Sequence, residues 1–446
     1  MAPSPAWRRL THAVLVLLAA ALAGCGGWLG ERDSVPLPGE RIPVLLLDEG
    51  VRADPRLANL DVVLPAPVAN AEWSQAGGSP SHAMQHLAAG ARLSEAWRAG
   101  IGAGSSRRVR LIGQPVVADG RVFTVDAEGR VGAFATADGR ELWRHWPEGV
   151  EGSDRLGGGG LAHADGRLFV AFTHGDVVAL DPATGAELWR QKVRAPVRTG
   201  PAAAGGRVLV VTADNQLFAL DGDSGEILWR HQGIAEQAGI LGAATPAVAG
   251  DAVVVTYSSG EVYGIRLVDG RPVWSETVLR PRRTLAIGAI SDITGEPVID
   301  GERVIVAGAG GETAAFDLMR GLRAWSVDVT SRQMPWVAGE FIFVLTDRNE
   351  VVCLLRQGGR IRWVSPLPRQ VDPEDADSGL IYWVGPVLAG DRLVLASSTG
   401  QVASVSPYTG EMLGTATLRG PVSLAPVVAE ETVFFLTDDG ELLAYR

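Results

Sequence analysis

Five times along this chain a proline is followed, 28 residues later, by a tryptophan: Pro115 and Trp143, Pro201 and Trp229, Pro246 and Trp274, Pro297 and Trp325, Pro335 and Trp363. A sixth copy ends at Trp189 with Leu161 in the opening position, and a seventh runs from Pro386 to Leu413. Length is constant inside the unit and variable between units. Strands locked in register and loops free to vary would behave in this way. From Trp97 to Trp363 the mean repeat is about 44 residues, which fits a four-stranded propeller blade.

One unit shows the strands. Pro115-Val-Val-Ala reads as the first, Arg121-Val-Phe-Thr-Val as the second, Arg130-Val-Gly-Ala-Phe as the third, and the fourth ends at Trp143. Asp119-Gly120 between the first two is a hairpin signal. The eighth unit opens at Pro426, but the chain stops at Arg446 after a third strand, Glu441-Leu-Leu-Ala-Tyr445. Its missing outer strand exists at the other end, as Leu93-Ser-Glu-Ala-Trp97. The expectation is an all-β, eight-bladed propeller of four-stranded antiparallel blades. The N-terminal strand completes the C-terminal blade and closes the ring, which protects edges that would otherwise be open.

The first segment reads as an address. Arg8 and Arg9 precede an apolar stretch, residues 10–23, too short to span a bilayer. It ends in Leu22-Ala-Gly-Cys25, which resembles the lipobox of bacterial lipoprotein signal peptides. That resemblance implies cleavage before Cys25 and acylation of its thiol. Gly26 rather than Asp at the next position implies an outer-membrane anchor facing the periplasm. The expected organisation is a signal peptide over 1–24, a lipidated tether over 25–70 and a propeller over 71–446.

Little in the sequence suggests chemistry. The formal charge of −11 offers no attraction for phosphate, so no nucleic-acid partner is expected. Cys353 lies in the apolar run Glu350-Val-Val-Cys-Leu-Leu355 and reads as a buried core thiol. His82 and His86 are close but have neither a helical pattern around them nor a third ligand. The glycine clusters at 157–160 and 308–311 read as hairpin loops. No HExxH, GxSxG or Walker pattern occurs, and no catalytic residue, metal or cofactor is expected.

The connections between units carry more information. By propeller geometry they emerge on one face, and those after Trp274 and Trp363 are the longest. The first of these holds Arg280, Arg282 and Arg283, then the apolar run from Leu285 to Asp292. The connection after Trp229 holds Ile234, Ile240 and Leu241. Apolar residues beside charge suit a docking surface, or a fold-back over the end of the barrel.

The stretch Ala179-Leu-Asp-Pro-Ala-Thr-Gly-Ala-Glu-Leu-Trp189 resembles the repeats of the pyrroloquinoline-quinone (PQQ) enzymes. With the lipobox and eight units, the whole chain resembles the BamB family of lipoproteins of the outer-membrane β-barrel assembly machinery. That resemblance implies a non-enzymatic scaffold that docks the POTRA domains of BamA. It also implies association with the other assembly-complex lipoproteins and with nascent outer-membrane proteins. Two loops are implicated by the resemblance. In the first, Ile240 matches an apolar contact and Leu241 stands where the family has an Arg. In the second, Ser291 and Asp292 match a Ser-Asp-x-Asp motif that Thr294 breaks. A PQQ-dependent quinoprotein dehydrogenase resembles the chain in its repeats. It would carry vicinal cysteines and calcium-binding acidic and amide side chains. A lipid-anchored propeller binding glycans or another periplasmic ligand is the third possibility.

Overall fold

The computed structural model describes residues 51–146, 158–234, 244–278, 295–308, 311–375 and 377–446. Cys25, Ile240, Leu241, Arg282, Arg283, Ser291 and Asp292 lie outside them, as does the signal-peptide segment.

The described residues form eight four-stranded antiparallel sheets. Blade 1 comprises Val116–Ala118, Arg121–Val125, Val131–Ala135 and Glu141–His145, ordered from the axis outwards. Its first hairpin turns through Asp119 and Gly120, with φ of 51° and 67°. Two consecutive positive φ values make a two-residue turn whose twist matches the flanking strands. Blades 2 to 7 repeat the order, with innermost strands Gly159–Ala164, Ala202–Ala204, Ala247–Ala249, Val298–Asp300, Trp336–Ala338 and Trp383–Ala389. The three inner strands of each blade are buried almost throughout, because neighbouring blades cover both faces. The outer strands alternate or are open, as in Ile227–Gln232.

The opening prolines explain where the inner strands begin. In six blades the innermost strand starts at the residue after Pro. Proline has no N–H to give to the ladder, so pairing cannot run back through it. Blade 2 has Leu161 there, and its strand starts earlier, with Gly159 opposite Phe172. Gly159 and Gly160 are therefore strand residues, not the hairpin loop expected of them. Blade 7 also starts early, at Trp383, and shifts register between Val384 and Val387 around Pro386.

Blade 8 consists of Val427–Ala429, Thr432–Leu436 and Glu441–Tyr445, completed by Glu95–Gly100. Glu95 pairs with Tyr445 and Gly100 with Glu441. Ser94 and Arg446 exchange backbone hydrogen bonds of 2.8 and 3.0 Å beyond the strand. The closing strand thus runs three residues past Trp97.

The repeat tryptophans rivet each blade to the next. The indole N–H of Trp97 donates to Thr136 O, Trp143 to Pro182 O, Trp189 to Gly222 O and Trp229 to Leu267 O, at 2.9–3.0 Å. Trp274, Trp325 and Trp363 do the same to Leu318 O, Arg356 O and Pro407 O at 2.7–3.2 Å. Each acceptor lies in the turn before the outer strand of the following blade. The glycine of that turn lies flat under the ring: a Cβ on Gly225 (φ +75°) would sit 2.6 Å from the Trp189 ring. The seventh unit would need such a turn in blade 8. There the two chain ends meet instead, so no turn exists to receive an indole, and Leu413 stands in its place.

Candidate docking face and axial funnel

Each blade has four antiparallel strands, so the chain returns to the face from which it entered. The connections from outer strand to next inner strand therefore gather on one face, and the opposite face carries the first hairpin of each blade. The connection with Ile240 and Leu241 precedes blade 4, and the one with Arg282, Arg283, Ser291 and Asp292 follows it. Both stems rise from this first face, at either side of a single blade.

The stem before residue 235 is held tightly. The Ile234 amide donates to Glu261 Oε2 at 2.7 Å, and its carbonyl accepts from Asn215 Nδ2 at 2.7 Å. Gln232 Nε2 donates to the carbonyls of Asp214, Asn215 and Gly233. Beneath them His231 stacks on Tyr257, with Nδ1 2.8 Å from the phenol oxygen, and meets Tyr263 edge-on. Burial lowers the His231 pKa. After blade 4, the Val278 amide donates to Gly260 O at 3.1 Å, and Arg323 Nη2 donates to Thr277 O at 2.6 Å. Ile234 is 62% exposed at the lip. The same face carries Val371, Leu380 and Tyr382, all more than half exposed, on the long connection after Trp363. Sequence reading singled out the length of that connection but none of these three side chains. Its signal was the run of acids from Asp372 to Asp377 beside them.

The axis of the ring is open on this face and closed on the other. The N-terminal ends of the innermost strands form a funnel of about 400 Å3. Arg110, Arg198, Arg332 and Glu296 are its ionisable side chains among the described residues. Burial pushes the Glu296 carboxyl up to about 7. Trp73, Ala76 and Gly77 form the floor. Trp73 stacks with Trp336, and its buried Nε1 has no hydrogen-bond partner among the described residues.

That floor belongs to a strap, residues 70–90, which visits the innermost strand of every blade in turn. Asn70 bonds Val428 O and Glu430 N of blade 8, and Trp73 exchanges backbone bonds with Val117 of blade 1. Ser74 O accepts from His163 N in blade 2, and Gln75 Oε1 accepts from Ala203 N in blade 3. Pro80 O accepts from Val248 in blade 4 and Ser81 O from Ile299 in blade 5. Gln85 receives Trp336 Nε1 and the Gly339 amide of blade 6, and Leu87 bonds Leu388 and Gly390 at blade 7. His82 and His86 are fastenings of this strap. Nδ1 of His82 donates to Pro297 O at 2.7 Å, and Nδ1 of His86 to Pro65 O at 2.8 Å. Before the strap, residues 51–70 run along blade 6, with the Asp54 amide on Ile361 O and Arg362 Nε on Leu60 O.

A calcium-bound quinone does not fit the described funnel. Glu296 is its single carboxylate, no cysteine lines it, and no cluster of three His, Cys, Asp or Glu suits a metal ion among the described residues. Cys353 lies in the core of blade 6, where burial raises its thiol pKa.

Comparison with known proteins places these features in a family. The sequence profile described as "Outer membrane protein assembly factor BamB" matches residues 94–156, 127–365 and 370–446. A BamB of Xanthomonas campestris pv. campestris is 29% identical over 361 residues, 80% of this chain and 86% of that protein. A BamB of Alkalilimnicola ehrlichii is 28% identical over 206 residues, 46% of this chain. For that relative and the one from Legionella pneumophila, the chain spans about half the relative's length, 51% and 49%. Among solved structures, BamB from Moraxella catarrhalis superposes with a TM-score of 0.66 at 18% identity, covering 80% of this chain and all of that one. A europium-containing methanol dehydrogenase also scores 0.66, at 14% identity, covering 84% of this chain and 98% of that one. At such identities these structures share the fold.

Proposed function

Because the chain belongs to the family of the outer membrane protein assembly factor BamB, we propose that it is a scaffold of outer-membrane protein assembly that works by binding, without chemistry. The observation that carries this reading is the family match across the blades. The geometry supports it. The stems of both candidate loops rise from one face, at the two sides of blade 4, and are fixed by hydrogen bonds to the blades beside them. A rigid ring presenting loops in this way loses little conformational freedom on docking.

In this reading the loop face docks the POTRA domains of BamA through Ile240, Leu241, Ser291, Asp292, Arg282 and Arg283. Acyl chains on Cys25 hold the ring at the periplasmic side of the outer membrane and raise its effective concentration near a membrane-embedded partner. Residues 25–70 serve as the tether, with its last part, from residue 51, laid along blade 6. The test is co-purification with BamA from detergent-solubilised membranes. Ile240→Asp or Asp292→Arg is expected to cut recovery of BamA about tenfold or more, as for a buried contact at the core of an interface, with the melting temperature unchanged. Full recovery with both changes combined would remove the docking assignment.

A further inference from the structure

We propose that the outer edge of blade 7 is a docking groove for an extended peptide segment that carries an aromatic side chain with a carboxylate beside it. The segment adds a fifth strand to the blade, along Met412–Thr417. Nothing in the docking reading requires this edge, which lies on the flank of the ring, three blades away from the loops beside blade 4.

Three observations carry it. First, the strand is left open. Among the eight outer strands it is the one with no charged residue, and all six of its residues are exposed. Natural edges are usually blunted by charge or proline. Second, the seam beside it lacks its wedge. Trp229 stands opposite Ala219 and Trp363 opposite Cys353, each with the residue before it bulged out of the pairing. The same register in blade 7 sets Gly414 opposite Ser404 and bulges Leu413. Leu413 thus ends the seventh unit by sequence count, while the tryptophan's position on the sheet falls to Gly414, 28 residues after Pro386. A Cβ on Gly414 would meet nothing within 4 Å, and its φ lies outside the left-handed region, so neither neighbours nor backbone call for glycine. A groove of about 330 Å3 opens there, walled by Val402, Ala416 and Leu418 on one side and by Phe435 and Tyr445 of blade 8 on the other. The other seven seams hold an indole. An aromatic ring on an added strand covers an edge glycine in the same way. Third, Arg92 stands exposed at the rim, and its guanidinium has no partner among the described residues. Arg392 also borders the groove, but it holds the carbonyls of Gly90 and Ala91. The free charge at the rim is positive and complements a carboxylate.

These features select the occupant. Met412–Thr417 has no aromatic residue of its own, so pairing with the same edge of a second copy leaves both grooves unfilled. A small aromatic solute fills the groove but leaves the open edge of the strand unpaired. A peptide strand satisfies both, with backbone bonds along the edge and one side chain seated in the seam.

The experiment is fluorescence polarisation of the full chain in detergent with a labelled heptapeptide of alternating threonine and valine, a central tryptophan and a terminal glutamate. Saturable binding is expected. Alanine in place of the tryptophan should weaken it roughly tenfold or more, the scale of a lost anchor residue. Lysine in place of the glutamate should weaken it about threefold, as for an exposed ion pair, and Arg92→Glu should reverse that preference. Methylating the backbone nitrogens along one edge of the peptide should abolish binding, while methylating the other edge is tolerated. Gly414→Trp fills the seam from within and should exclude the peptide while melting no lower than the parent. The proposal is overturned if no peptide binds, if the alanine peptide binds as well, if both methylated peptides bind, or if folded Gly414→Trp binds as the parent does. It is also overturned if N-acetyltryptophanamide displaces the peptide at equal concentration, which marks a solute site, or if light scattering shows a dimer that Gly414→Trp splits, which marks a second copy on the edge.

Discussion

The tryptophan at the end of each unit is both wedge and donor. Its ring lies on the glycine of the next blade's turn and its N–H satisfies a carbonyl there. Trp229→Phe keeps most of the apolar area but leaves Leu267 O without that donor. Urea unfolding should report a loss of about 1–2 kcal/mol, the usual cost of an abandoned hydrogen-bond acceptor. His82 makes a second prediction. Burial lowers its pKa from 6.5 to about 4. As pH falls through that window, the unfolded chain takes up a proton that the folded chain refuses. Stability therefore declines between about pH 6.5 and 4, by up to about 3 kcal/mol. His82→Gln should flatten this part of the stability profile, read by urea unfolding at pH 7 and pH 4. The regular spacing made the tryptophans legible as packing residues. The acceptor of each indole was not, because it lies 31–44 residues further on, in another blade. The spacing of His82 and His86 imitates a helix face. The backbone there instead turns through positive φ at His82 and Gln85, as a strap bending around an axis must.

At the scale of elements, the strands were written in the sequence and the strap was not. Strand order followed from alternating turn signals and a constant unit length. Residues 70–90 have no period to read, because apart from a few local turns their hydrogen bonds go to eight different blades. Gln85 shows what this means. It donates to Asp300 Oδ1 at 3.0 Å, accepts from the Gly339 amide at 3.0 Å, and gives its backbone carbonyl to Trp336. Gln85→Ala strands a part-buried amide of blade 6 and one carboxylate oxygen of blade 5. A loss of about 1–3 kcal/mol is expected, with hydrogen exchange at Gly339 accelerated more than exchange within the outer strands. Of the candidate docking residues, Arg282, Arg283, Ile240 and Leu241 stood out by the composition of their connections, while the Ser291-Asp292 motif and the partner came only from family resemblance. Loop side chains obey no strand register, so spacing could place their stems but not their partners.

For the whole molecule, closure was legible from counting alone. Seven units and a remainder at each end imply one shared blade, and the pairing of Glu95–Gly100 with Glu441–Tyr445 is that blade. A chain ending at residue 425 would leave Glu95–Gly100 without its inner partner and uncover the apolar faces of blades 1 and 7. It should lose its cooperative thermal transition and associate in solution, both checked by calorimetry and light scattering. Retention of a single sharp transition would mean that closure does not hold the ring together.

The strap also constrains the order in which such a chain can mature. It is synthesised ahead of every blade, yet its last partners, in blades 7 and 8, are among the final residues made. Until the C-terminal strands arrive, Asn70 and Leu87 at the two ends of the strap lack their partners in blades 8 and 7. Early blades can engage the middle of the strap, but its ends stay unfastened. The commitment to structure falls late, when the entire polypeptide is available, and refolding should be slow for a protein of this length, as expected when contacts join distant parts of a sequence.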